Sequence, residues 1–338
     1  MGMTDGAVVN RIVRLNGHGY SVRVRDGETI LCALRRAGLW VPFECGWGSC
    51  GTCKTTLISG QVKVLFPDAP AIKPQDERRR RILLCQSTPL TDIEIKPLSV
   101  RDTPRDDLPT ADYKGRLVER AEVGPDIFRM RFTLDRPARF LAGQYAIVET
   151  APGLRRCYSM TNLPGGSLVE FIVKRFPHGM VSQTLVSLPI GSSVSLEIPY
   201  GAAYLRPTGR PIVLVAGGTG IAPMLSILRA LVCSARNPQV PVRVFYGAQN
   251  PASLVECSTI EFLAGQLPGS EVLLTVGETD GGWTGYRGSV LDLLASRIKD
   301  WTAHDYYVAG PPAMVENCRS LLLSRGVPIT QVHYDAFA

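Results

Sequence analysis

The patterned part of the chain opens with alternating apolar and polar residues, VVNRIVRL, then Asn16-Gly17-His18-Gly19, then YSVRVR. Alternation at period two on both sides of a glycine turn predicts a β-hairpin. After Asp26-Gly27 the pattern predicts a short amphipathic helix over roughly 29–37, closed by Gly38. A loop rich in glycine and cysteine follows, so residues 1–100 read as a small α+β domain. Residues 101–110 are polar and proline-broken with no apolar period, the composition of a linker. Over 111–208 short strands dominate (GRLVERAEV, FRMRFTL, YAIVET, VEFIVKRF, SVSLEIP), parted by Gly/Pro turns, which predicts an antiparallel β-barrel. From 209 to 338 strands alternate with helices: PIVLVA then MLSILRALV, VRVFYGA then SLVECSTIEFLAGQ, EVLLTV then SVLDLLASRI, DYYVA then PAMVENCRSLLLSRG. That alternation predicts a doubly wound parallel sheet.

Composition changes this picture little. The chain has 338 residues, 45% hydrophobic and 20% charged, as in an ordinary globular protein. The opening MGMTDGAVVN has no basic stretch leading into an apolar one, and no run reaches the 18 or so apolar residues of a membrane span. A cytoplasmic location with no membrane partner is the expectation. The net charge of +7 raises the question of nucleic acid. Residues 1–100 carry 14 Lys and Arg against 9 Asp and Glu, with no aromatic-interleaved basic stripe, so no nucleic-acid partner is expected.

The nine cysteines matter more. An odd number in a long, core-forming chain is no disulfide framework. Cys32, Cys157, Cys233, Cys257 and Cys318 are scattered and read as small buried apolar residues. The other four form ECGWGSCGTCK, with Cys45, Cys50 and Cys53 at C-x4-C-x2-C, and Cys85 in LLCQS further on. This is the plant-type [2Fe–2S] spacing. Three thiolates on one tight loop wrap a cluster, and Gly46, Gly48 and Gly51 let backbone amides point at its sulfurs. Four thiolates also suit zinc, but zinc sites usually pair two C-x2-C units and only one is present. Trp47 and the run Arg78–Arg81 flank the loop, as a docking anchor and basic patch or as a packed ring and a solvated face.

Four further motifs concern nucleotides. RRCYSM ends a predicted barrel strand and contains Arg156, Tyr158 and Ser159: a cation for a pyrophosphate, a ring for an isoalloxazine, a hydroxyl for its reactive edge. GMVS, Gly179 to Ser182, reads as a turn whose amides can hold phosphate. GGTGIAP places Gly217, Gly218, Thr219 and Gly220 between a buried strand and a helix, where a phosphate loop belongs, although it is not G-x-G-x-x-G. AGPPAM puts Gly310, Pro311 and Pro312 at the same edge of the sheet. His18, His178, His304 and His333 form no local constellation, and no acid–base residue of the hydrolase kind is expected.

With these motifs in this order, the whole chain from about residue 8 to the closing HYDAF resembles the reductase component of bacterial ring-hydroxylating (Rieske-type) oxygenase systems, in the ferredoxin–NADP reductase superfamily. The resemblance implies a β-grasp-like ferredoxin domain, an FAD barrel and an NAD domain. It implies that Cys45, Cys50, Cys53 and Cys85 hold the cluster, that Arg156, Tyr158 and Ser159 contact FAD, and that Gly179, Met180, Val181 and Ser182 lie at its pyrophosphate. Gly217 to Gly220, Gly310 to Pro312 and Phe337 would line the nucleotide and cofactor site. The implied activity is hydride transfer from NADH to FAD, then single electrons through the cluster to a terminal oxygenase docking at the ferredoxin domain. NADH rather than NADPH is expected because Tyr246–Glu256 offers no basic residue for a 2′-phosphate. Two departures stand out: the family often has proline at Cys157 and cysteine at Ala309. The alternatives are the same redox chain serving a diiron monooxygenase or a nucleotide-sugar dehydrase, and, in another class, a redox-sensing interaction protein.

Overall fold

The computed structural model describes residues 11–102, 108–151, 154–233, 240–278 and 281–337. Residues 103–107 of the expected linker and the first ten residues lie outside this set. The chain divides into two compact units, Met1–Ala111 and Asp112–Ala338.

In the first unit the hairpin forms as the alternation predicts, Arg11–Leu15 against Tyr20–Val24, with Val13, Leu15, Val22 and Val24 turned inward. The helix spans Ile30–Arg36. Thr29 caps it by accepting the amide of Cys32 (3.2 Å), and Gly38, at φ +75°, turns the chain away. Five strands make a mixed sheet in the order Tyr20–Val24, Arg11–Leu15, Ile93–Lys96, Lys54–Ser59, Arg81–Leu83. The first and last of these in sequence, Arg11–Leu15 and Ile93–Lys96, pair in parallel, which gives the β-grasp arrangement. Arg101–Asp102, placed in the linker by composition, instead form a short strand against Leu39–Trp40.

The second unit holds two lobes. Six antiparallel strands run in the order Leu154–Ser159, Tyr145–Ala151, Ser193–Tyr200, Ala111–Gly124, Ile127–Leu134, Leu168–Lys174. An isolated bridge between Met160 and Phe171 brings the two edges together, so the sheet curls into a barrel. The second lobe is a six-stranded sheet in which the order is Tyr286–Arg287, Glu271–Val276, Val242–Ala248, Ile212–Gly217, Asp305–Gly310, Val332–Ala336, every pairing parallel. The order reverses beside Ile212–Gly217, so the helix Ile221–Cys233 begins at the switch point where open α/β sheets bind ligands. The lobes share an apolar core: Ile127 and Ile172 of the barrel pack with Leu225, Leu228 and Val255 of the nucleotide lobe.

Two local expectations are corrected. GMVS is not an isolated turn: Gly179 is the N-cap of a helix, Met180–Ser187. The helix expected from Ser253 starts only at Cys257, because Pro251–Ser253 form a 3-10 turn and Glu256 sits at φ +60°. Of the five scattered cysteines, Cys32 and Cys318 are buried as expected, Cys157 and Cys257 are half-buried, and Cys233 is exposed.

Candidate cofactor sites

The cysteine loop runs between the helix Ile30–Arg36 and the strand Lys54–Ser59, and Cys85 reaches it from the 3-10 turn Leu84–Gln86. Cys53 Sγ and Cys85 Sγ are 3.4 Å apart, the Cys50 amide points at Cys45 Sγ (3.5 Å), and the Thr52 amide at Cys50 Sγ (3.5 Å). Cys45, Cys53 and Cys85 are buried and Cys50 is exposed at the rim. Within each close pair one sulfur accepts the other's hydrogen bond. Cys50 thereby draws Cys45 down to about 4, and Cys85 draws Cys53 below its ordinary value. Four mutually interacting thiols with amides aimed at them are a fitting donor set for an iron–sulfur cluster. The Ser49 hydroxyl at the same loop hydrogen-bonds toward Cys45 and adds to its lowering, a further donor aimed at the four thiols. The loop cannot relax freely: a β-carbon at Gly48 would stand 3.1 Å from Gln86 Cγ and 3.2 Å from Ala69 Cβ.

The arginine run folds into three different settings. Arg78 ends the short helix Pro74–Arg78, Arg80 takes φ +52°, and Arg81 opens a strand. Arg80 donates to the carbonyls of Ile58 (3.3 Å) and Gly60 (3.2 Å). Arg81 reaches Asp76 at 3.3 Å, and Lys54, next to Cys53, reaches the same carboxylate at 2.7 Å. Asp76 accordingly lies below the usual carboxylate range, chiefly through the Lys54 hydrogen bond. Only Arg78 and Arg79 of the four are exposed with no side-chain partner among the described residues. Trp47 is half-buried and stacks on Phe66, with centroids 6.3 Å apart.

In the barrel, Arg156, Tyr158 and Ser159 lie on Leu154–Ser159, opposite Val148, Ala146 and Tyr145 of the next strand. Ser159 Oγ is buried and finds no hydrogen-bond partner among the described residues. A buried hydroxyl left in this state costs about 1–3 kcal/mol, and a flavin edge would satisfy it. Tyr158 is tilted against Phe171 (6.1 Å), and burial pushes its phenol well above the ordinary value, so it stays neutral. Gly179 to Ser182 present the opening amides of their helix. Ser182 Oγ, however, accepts from the Phe176 amide (3.2 Å) and donates to Gly179 O (3.0 Å). Gln183 adds bonds to the carbonyls of Phe176 and Pro177. These side chains hold the turn in shape, so any anion there would fall to the backbone amides; sequence reasoning missed Gln183, which no motif marks.

In the nucleotide lobe, Gly217 ends its strand, Gly218 to Gly220 form a 3-10 turn, and Gly310 ends the neighbouring strand. The two loops touch backbone to backbone. A β-carbon at Gly310 would lie 3.0 Å from Gly217 N and O, and one at Gly217 would lie 2.6 Å from Met314 Sδ. Pro311 and Pro312 are exposed at the start of Pro312–Ser324, and the Phe337 amide bonds to Gly310 O (2.8 Å), so the C-terminal strand brings Phe337 to the same edge. All the residues expected at the nucleotide are thus gathered in one place. The helix Ile221–Cys233 starts directly after the glycine turn, a setting that suits a phosphate, with the Ile221 amide already given to the Gly218 carbonyl and Pro223 carrying none.

Comparison with known proteins agrees with this geometry. Models of three families match: the 2Fe-2S iron-sulfur cluster binding domain over residues 13–90, the oxidoreductase FAD-binding domain over 114–204, and the oxidoreductase NAD-binding domain over 214–320. The ferredoxin–NAD(P)(+) reductase CarAd of Metapseudomonas resinovorans is 36% identical over 92% of this chain and 95% of its own. The ferredoxin–NAD(+) reductase component of an alkene monooxygenase system from Xanthobacter autotrophicus is 35% identical over 96% and 100%. A solved structure of the ferredoxin reductase in carbazole 1,9a-dioxygenase superposes with a TM-score of 0.88 at 31% identity, over 98% of this chain and 99% of that one. Four thiols built for a cluster, a flavin strand and a nucleotide loop in one chain, with relatives matching end to end, place the protein in the family of ferredoxin–NAD(P)+ reductases that serve as reductase components of oxygenase systems.

Proposed function

We propose that this reductase takes hydride from NADH onto FAD and delivers the electrons singly, through the cluster at Cys45, Cys50, Cys53 and Cys85, to a terminal oxygenase of the aromatic-ring-hydroxylating kind. The observation that carries the reading is the full-length similarity to reductase components of a carbazole and a naphthalene dioxygenase system, together with the three cofactor sites. FAD supplies the conversion between a two-electron donor and a one-electron acceptor. The chain's own part is to bind, orient and exclude water. Ser159 offers the flavin a buried hydroxyl, the Gly217–Gly220 loop holds the nucleotide phosphates, and Cys50 at the rim marks the exposed side of the cluster.

The oxygenase is proposed to dock on the ferredoxin domain near Cys50, steered by Arg78 and Arg79, since Arg80 and Arg81 are engaged within the domain. Trp47 is half-buried and stacked on Phe66, so only part of its ring is open to a partner. A second reading has the same redox chain serving a monooxygenase. It is favoured by relatives from alkene and phenol monooxygenase systems at 35% and 30% identity. Purified protein, NADH and candidate oxygenases of both kinds decide between them: sustained reduction of a dioxygenase alone supports the first reading, and of a monooxygenase alone the second. Steady NADH-driven reduction of cytochrome c rules out a redox sensor without turnover.

A further inference from the structure

The barrel and nucleotide lobes are joined by apolar packing, which gives cohesion without direction. Around that core runs a chain of six alternating charges that begins and ends in the nucleotide lobe. Arg229, on the helix Ile221–Cys233, meets Glu170 (3.1 Å); Glu170 meets Arg131 (2.7 Å); Arg131 meets Glu119 (2.7 Å); Glu119 meets Arg129 (3.8 Å); and Arg129 meets Glu256 (3.1 Å), at the start of Cys257–Ala264. The middle four are set by strand register, with Arg131 directly opposite both Glu119 and Glu170. Glu170 is buried. Burial works against its charge, but hydrogen bonds from Thr161 and Arg131 and the nearby Arg229 together outweigh that and hold it below the usual carboxylate range.

The Arg229 end has a second property. The same Nη1 donates to the carbonyl of Thr161 (2.7 Å) and approaches its hydroxyl (3.2 Å), while Ser226, one turn back, donates to the carbonyl of Asn162 (2.9 Å). Thr161 and Asn162 follow directly on Ser159 and Met160, and Asn162 is fixed in turn by accepting the Glu170 amide (2.9 Å). Three residues of separation on a helix put Ser226 and Arg229 on one face. That helix begins at the Gly218–Gly220 turn, with Arg229 about 14 Å along its axis. Two stiff elements, the flavin strand and the nucleotide-loop helix, are therefore bolted to each other at one point.

We infer that Ser226 and Arg229, held by Thr161, Asn162 and Glu170, are positioning residues that fix the nicotinamide loop relative to the flavin strand for hydride transfer. The inference rests on the assignment of FAD to the Ser159 strand and of the nucleotide to the Gly217–Gly220 loop. Directional bonds to a charged guanidinium set an angle that apolar contact leaves soft. Among the described residues the side-chain bonds of Ser226 and Arg229 go to Asn162, Thr161 and Glu170, so both act through the backbone they hold. Hydride transfer is sensitive to such placement: a shift of about 1 Å costs on the order of a hundredfold in rate.

The test is anaerobic stopped-flow reduction of the flavin in full-length Arg229→Met, Arg229→Lys and Ser226→Ala. Glu170 keeps Arg131 and Thr161 in each, so no buried carboxylate is stranded. The expected result for Arg229→Met is a limiting reduction rate about tenfold or more below wild type. NADH affinity, flavin content and melting temperature should change little, and the primary deuterium isotope effect with NADH labelled at C4 should alter. Arg229→Lys and Ser226→Ala should fall between, and they carry the test if Arg229→Met does not fold. A limiting rate and isotope effect at wild-type values in all three variants overturns the inference. So does a loss of rate that disappears when expressed per bound flavin, since that is a merely stabilising role. Failure of wild-type protein to reduce a bound flavin with NADH would instead sink the underlying site assignment.

Discussion

Gly220 lies so close to Ala309 that a β-carbon built on it would stand 2.1 Å from the Ala309 carbonyl oxygen. The obstacle is backbone in the adjacent strand, which cannot swing aside as a flexible side chain can. Gly220→Ala is therefore expected to push the nucleotide turn off the Asp305–Gly310 strand and weaken NADH binding by about tenfold or more, roughly 1.4 kcal/mol. FAD content should stay at the wild-type level. Titration of the oxidised protein with NAD+ and steady-state KM for NADH check this; an unchanged KM would show that the loop does not carry the nucleotide.

Ser159→Ala removes a buried hydroxyl that has no hydrogen-bond partner among the described residues. If that group serves the flavin, the limiting rate of flavin reduction should drop by about tenfold to a hundredfold. The apoprotein should meanwhile become slightly more stable, because an unsatisfied buried polar atom is gone. Opposite signs in the two measurements are the signature; a loss of stability with no change in rate would make Ser159 a packing residue.

Cys50→Ser should leave hydride transfer to FAD measurable and abolish delivery to cytochrome c, since cluster and flavin motifs occupy separate units of the chain. Rapid-mixing and steady-state assays on the same preparation separate the two steps. Acid-labile sulfide should be lost; zinc in place of iron in the wild-type protein would end the cluster assignment.

Much of this machinery was legible in sequence because its signals are local. Cys45, Cys50 and Cys53 lie within nine residues, and the Gly217–Gly220 and Gly310–Pro312 turns follow strands that announce themselves as apolar runs. The settings of Arg80 and Arg81 were not legible, since they depend on Ile58, Gly60 and Asp76 meeting them in three dimensions. Nor was the six-charge chain, whose five links span 10, 12, 39, 59 and 127 residues and rest on strand register that no short window contains. The helix at Met180 escaped because glycine and proline before it read as a turn, which they also make.

Arg78→Gln with Arg79→Gln should slow reduction of the true oxygenase and flatten the fall of that rate with salt. Screening shortens the reach of such charges from about 10 Å at 0.1 M to about 3 Å at 1 M. The NADH-to-FAD rate is the internal control and should not move. A wild-type rate at low salt in this double variant would make the pair a solvated face.

His333 is buried against Tyr307, 4.9 Å between centroids, and burial lowers it to about 3. It is neutral when folded, while the unfolded chain takes up a proton near 6.5. Stability from this residue is therefore complete above about pH 6.5 and falls as the pH drops toward 3, by about 2 kcal/mol at pH 5 relative to pH 7. His333→Gln should flatten that slope in denaturant titrations; an unchanged acid limb would show that His333 titrates normally.

The first unit places the last strand of its five-stranded sheet, Ile93–Lys96, in the middle of that sheet, between Arg11–Leu15 and Lys54–Ser59. Its contacts close very long loops: Ile12 bonds to Asp92 across 80 residues. Such closure comes late in folding, because its entropic cost falls due before the contacts that offset it exist. During synthesis, Cys45, Cys50 and Cys53 emerge while the sheet behind them is still split into two halves. Cys85, the fourth thiol, follows Cys53 by 32 residues and meets it from the 3-10 turn Leu84–Gln86, so the full set of four comes together only when that later segment is in place.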